Sequence, residues 1–125
     1  MRSGDKCQVV RFLGTLNFML LRVEKAYEGY LENGKSLLYA SVLREGNEDI
    51  RRLLLEDAYL LPMKEQEYAL QLLHHIDIWA SVWDQTYEEQ QPQMNDEFVF
   101  ANRVVFPREE VAELLAYYES IKNVD

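Results

Sequence analysis

The segment with the most chemistry written into it is Gly29-Tyr30-Leu31-Glu32-Asn33-Gly34-Lys35-Ser36. It fits G-x-x-x-x-G-K-[ST], the loop in which backbone amides cradle phosphates, a lysine reaches the β- and γ-phosphates and a hydroxyl meets magnesium. Leu53-Leu54-Leu55-Glu56-Asp57 is an apolar run ending in acids, as a magnesium-binding strand would be. A nucleotide-binding P-loop enzyme using Gly29–Ser36 is therefore one reading. The flanks argue against it. Arg22, Glu24, Lys25 and Glu28 fill the place where a buried parallel strand has to lie, and charges there suit a helix instead. Glu32 adds like-charge repulsion inside the would-be cradle. The plainer reading is a helix stop at Asn33-Gly34 followed by a helix start at Ser36.

Other reactive side chains are less organised. His74 and His75 are adjacent, so on a helix they point about 100° apart and do not converge on one metal. His74 and Asp77 are three apart and could pair, but the Glu-x-x-His ligand set of di-iron bundles is absent. Cys7 is the one cysteine; it has no intramolecular disulfide partner, which fits a reducing compartment, and a nucleophilic role would need a base beside it. Trp79 and Trp83, one helical turn apart, fall on the arc that reads as core. No catalytic residue, cofactor or metal ligand is assigned.

Charge is the stronger signal. The 125 residues hold 13 Lys and Arg against 22 Asp and Glu, a net of −9. The sum is uneven. Residues 1–46 carry seven bases and five acids, a net of +2, and residues 47–125 carry six bases and seventeen acids, a net of −11. Between Lys64 and Arg103 there are eight acids and no base: Glu65, Glu67, Asp77, Asp84, Glu88, Glu89, Asp96 and Glu97. Nucleic acid and anionic membranes are poor partners for such a chain, because phosphate binding needs clustered Lys and Arg. A basic protein surface is a good one, since complementary potential speeds association. The candidate contact residues are Asp77, Asp84, Glu88, Glu89, Asp96 and Glu97.

Periodicity supplies the elements that would position them. Apolar residues from Val9 to Leu31 recur at helical spacing, with Asn33-Gly34 as the stop. Ser36 opens a short second helix that Gly46 ends near Arg44, and Asn47 caps a third that Pro62 closes. The fourth, from about Lys64 to Gln90, gathers Ala69, Leu72, Ile76, Trp79, Ala80, Trp83 and Tyr87 on one arc and Asp77, Ser81, Asp84 and Glu88 on another. Phe98 to Phe106 is aromatic and β-branched and reads as extended, a small hairpin turning near Asn102. Pro107 opens a last helix.

The expected fold is one all-α domain over 1–125, a bundle of about five helices with a short extended or hairpin segment near 97–106. A compact α+β arrangement is the alternative if that segment pairs. Arg2, Lys6 and Arg11 before the apolar Phe12–Leu21 mimic a signal peptide, but no cleavage site follows and the run is too short to span a bilayer, so the chain reads as soluble and cytoplasmic. Its expected function is that of a small acidic, non-enzymatic protein-binding domain that occludes or regulates a basic partner. Immunity proteins, nuclease inhibitors and antitoxins act this way as a physical class. A structural or regulatory homo-oligomeric subunit, such as a homodimer, is the third reading.

Overall fold

The computed structural model describes residues 3–100 and 105–123, with side chains from residue 6 onward in the first stretch. These residues form α1 (Ser3–Glu32), α2 (Leu37–Asp57), a 3-10 turn (Ala58–Leu60), α3 (Met63–Gln90) and α4 (Arg108–Ile121). No strand forms among them; Ser36 and Glu97 make one isolated antiparallel bridge. The all-α reading holds and the α+β alternative does not.

Apolar spacing decides which faces meet. Val9, Phe12, Leu13 and Leu16 of α1 pack against Ile50 and Leu54 of α2, Ala69, Leu72 and Ile76 of α3, and Val111 and Leu114 of α4. Each helix touches its neighbours in sequence, and α4 closes the ring against α1. The buried side of α3 is the arc read from its sequence, with Ala69, Leu72, Ile76, Ala80 and Trp83 all enclosed. A second, smaller core forms at one end of the bundle from Tyr30, Leu37, Ala40, Leu43, Trp83 and Phe98.

Four helices stand where about five are expected, because the second and third are one. α2 runs without a break through Gly46 and Asn47. Gly46 does not stop the helix. It is buried, and a Cβ there would lie 2.9 Å from Cγ2 of Val23 on α1. Its job is to let two helices approach. Asn47 does not cap a new helix either; its Nδ2 donates to the carbonyl of Leu43 one turn back (3.1 Å). Gly34 does act as a stop, with φ of 71°.

The expected hairpin is also corrected. Its turn near Asn102 lies outside the described residues. Residues 91–100 cross the end of the bundle as an irregular strap that turns at 93–96 and pairs with no second strand among the described residues. The strap leaves α3 through Gln91, a left-handed residue (φ 46°) whose amide donates to Tyr87. It is held by Phe98, which is fully buried. The Phe98 ring lies 4.9 Å from Trp83, 6.4 Å from Tyr87 and 5.6 Å from Phe100.

Two opposed effects set the outcome at Gly46. Alanine in a helix interior gains up to about 1 kcal/mol over glycine. Overpacking against a β-branched side chain costs about 1–3 kcal/mol. Gly46→Ala is therefore expected to lower stability by about 1 kcal/mol in urea unfolding, and the loss should disappear when Val23→Ala is present as well. A raised unfolding midpoint in the single variant would refute the close-approach role.

Candidate functional site

The P-loop octapeptide folds as a helix end. Gly29 to Glu32 are the last turn of α1, with no strand before them. Asn33 Nδ2 donates to the Gly29 carbonyl (2.7 Å) and the Lys35 amide to the Tyr30 carbonyl (2.9 Å), so the end of α1 is closed by its own turn. Gly34 and Lys35 are both left-handed, Lys35 at φ 52°. The Lys35 amide is thereby taken, and so are the first two amides of α2. Leu37 donates to the Asp96 carbonyl (2.9 Å) and Leu38 to the Met94 carbonyl (3.0 Å). Ser36 sits at the cap position of α2 in an extended conformation, but its hydroxyl makes no capping bond. The strap caps α2 in its place, and in return Phe98 donates its amide to the Lys35 carbonyl (2.8 Å). Tyr30 adds its hydroxyl as a donor to the Phe98 carbonyl. Burial pushes that phenol above its ordinary pKa, with Tyr27 and Glu97 adding to the shift, so it stays a protonated donor.

The six acids separate into two groups. Asp77 and Asp84 lie on the exposed row of α3 as expected, but both face arginines of α2. Arg44 grips Asp84 with two nitrogens, Nε to Oδ1 and Nη2 to Oδ2, each at 3.0 Å. Arg51 Nε meets Asp77 Oδ1 at 2.7 Å. Residues 44 and 51 are two turns apart, as are 84 and 77 in the opposite sense, so the pairs record an antiparallel register. Glu48 lies between the arginines and contacts both. The hydrogen bonds it donates to Asp84 are the main reason the Arg44 guanidinium holds its proton more firmly than usual. Arg22 of α1 similarly reaches Asp49 of α2 at 2.6 Å. The basic early part of the chain and the acidic later part are thus folded onto each other.

Glu88, Glu89, Asp96 and Glu97 are the other group. Among the described residues no lysine or arginine pairs with them. Glu89 accepts from Gln85 Nε2 (3.3 Å) and Asp96 from the Gln93 amide (2.8 Å). They sit on the last turn of α3 and on the strap, at the same end of the bundle. Exposed apolar side chains share that end: Leu38, Tyr87, Met94 and Val99.

No protein-family model, curated protein or solved structure matches the chain. The site therefore rests on its own geometry.

The remaining reactive side chains stay apart. His74 is exposed, and no group of three His, Cys, Asp or Glu side chains placed to hold a metal occurs among the described residues. Cys7 is exposed on α1. His75 is half-buried, its ring edge-on to Phe106 at 5.4 Å, with no hydrogen-bond partner for Nδ1 among the described residues. An open groove of about 660 Å³ runs between α1 and α2, lined by Phe18, Arg22, Lys25, Gly29, Tyr39 and Val42. No helix among the described residues is long and apolar enough to cross a membrane.

Sequence reasoning missed Arg44 and Arg51 as partners of the acidic row. Their seven-residue spacing equals that of Asp77 and Asp84, and this shared interval was the available signal. It also missed the carbonyls of Met94 and Asp96, for which side-chain patterns hold no signal.

Two measurements follow. Asp84→Asn should lower stability by about 0.5–1 kcal/mol, while Glu88→Gln should stay within about 0.5 kcal/mol of the parent; equal losses would contradict the division of the acids. For His75, burial lowers the pKa from 6.5, the charge of His74 lowers it further, and the nearby Val105 backbone opposes them in part. The unfolded chain therefore takes up the proton first. The contribution of His75 is whole above pH 6.5 and is lost as pH falls through the lowered folded value. Between about pH 7.5 and 5.5 the parent should lose more stability than His75→Phe, and parallel curves would show that this ring does not titrate against the fold.

Proposed function

We propose that the chain is a small protein-binding domain that covers a basic surface of another protein and regulates it by occlusion, without chemistry of its own. The observation that carries this reading is the position of the acids that meet no lysine or arginine among the described residues. Asp77 and Asp84 are neutralised within the fold, whereas Glu88, Glu89, Asp96 and Glu97 remain open and collect at one end. Leu38, Tyr87 and Met94 lie among them and are 48%, 37% and 56% exposed. An apolar centre with a charged rim is the usual anatomy of a protein interface. The apolar part supplies burial energy, and the acids supply steering and reject acidic partners.

The arrangement narrows the contact set. Asp77 and Asp84 belong to the scaffold, since recruiting either would first require breaking an arginine pair. The backbone that carries the open acids belongs to the strap and the end of α3.

The reading is tested by quantitative affinity capture from the native host at low salt. The parent chain is compared with a Glu88→Lys, Glu89→Lys, Glu97→Lys variant of equal thermal stability. A protein with a basic surface should be retained by the parent and lost by the variant. Its association rate with the parent should fall by about tenfold or more from low to high ionic strength. A partner bound equally well by both chains, at a rate indifferent to salt, would overturn the proposal.

A further inference from the structure

Residues 93–100 and α4 are attached to the rest of the molecule by contacts that do not depend on their own covalent connection. The strap bonds to the α1–α2 turn and buries Phe98 between Tyr30, Leu37, Ala40, Leu43 and Trp83. Beyond it, α4 puts Val111 and Leu114 into the main core and lays Tyr118 beside Gly14 of α1. The join between α3 and this arm is a single sharp exit at Gln91-Pro92.

That exit is conformationally unfavourable. Gln91 is left-handed, at φ 46° and ψ 54°, a region costly for a residue with a Cβ and usually taken by glycine at a helix end. Proline follows at once, and the ring of a proline pushes the preceding residue out of helical conformations toward extended ones. Both preferences would be met if Gln91 were extended. The chain would then leave α3 on a different course, and the arm could not reach its own pocket by so short a link. The pocket of a neighbouring copy offers the same contacts.

We propose that the arm is exchangeable and that its alternative occupant is a second copy of this chain, giving a domain-swapped dimer in which each Phe98 fills the partner's pocket. Strained short hinges are the known setting for such exchange. The closed monomer keeps the arm by its high local concentration; the dimer keeps the same contacts and releases the hinge. This inference is independent of the proposed function, because it concerns the pocket under the strap and not the acids on its surface.

The test compares the full chain refolded at millimolar and at micromolar concentration, by light scattering after gel filtration. The parent should give a dimer at the higher concentration that persists on dilution, because exchange requires the arm to undock. Gln91→Gly relieves the hinge and should reduce the dimer-to-monomer ratio roughly tenfold for each hinge. A second variant fixes the topology. With Cys7→Ser, Leu38→Cys and Met94→Cys, whose backbones are hydrogen-bonded to each other in the closed form, oxidation of a swapped dimer links two chains covalently. A chain that stays monomeric at every concentration overturns the proposal. So does a dimer that oxidation leaves as separate chains in denaturant, or one whose abundance Gln91→Gly leaves unchanged.

Discussion

The first amides of a helix have no partner inside it and must find one elsewhere. In α2 that partner is not a side chain. The carbonyls of Met94 and Asp96 take the amides of Leu38 and Leu37, and most features of this end of the molecule follow from that choice. The strap has to lie across the α1–α2 turn to deliver those carbonyls. Lying there, it drops Phe98 into the space between Tyr30 and Trp83. It also holds Asp96 and Glu97 out toward solvent beside Glu88 and Glu89. The octapeptide that matches a phosphate loop is the end of α1 and its closing turn, with the strap bonded to the Lys35 carbonyl and to the two amides that follow it.

Electrostatics follows a similar logic of internal use. A long stretch with acids and no base looks, along the chain, like one unbroken negative surface. In three dimensions α2 lies antiparallel to α3 and answers two of those acids with Arg44 and Arg51. Exposed pairs of this kind add little stability individually. Their larger consequence here is subtraction. They neutralise the middle of the acidic row where it lies on the surface and leave its end as the place where negative charge is available.

The helices were legible in the sequence to the degree that periodicity and breakers speak the truth. Pro62, Gly34 and Pro107 stand where elements change, and the buried arc of α3 is the one its spacing marks. Gly46 misled because glycine has two uses, ending helices and letting helices touch, and the residues around it do not distinguish them. Only the Val23 methyl on another helix does. Phe98, Val99 and Phe100 marked a segment that forms no helix, but its docking site was not readable. Backbone carbonyls are the same in every residue, so a cap made from them leaves no trace in the pattern of side chains. For the candidate site, all six acids were named from the sequence, and folding sorted them.

The span between the two ends of the α2 cap has a kinetic meaning. Leu37 is sealed by Asp96, a residue that becomes available only after α3 has formed and been laid back along α2. The first turn of α2 is consequently local in appearance and non-local in origin. Contacts of such long sequence separation are slow to close, because the intervening chain must be ordered first. The α1–α2 hairpin can assemble early from neighbouring segments, yet its turn stays unfinished until the strap arrives. Completion of this turn thus carries the loop-closure cost of the whole α2–α3 span.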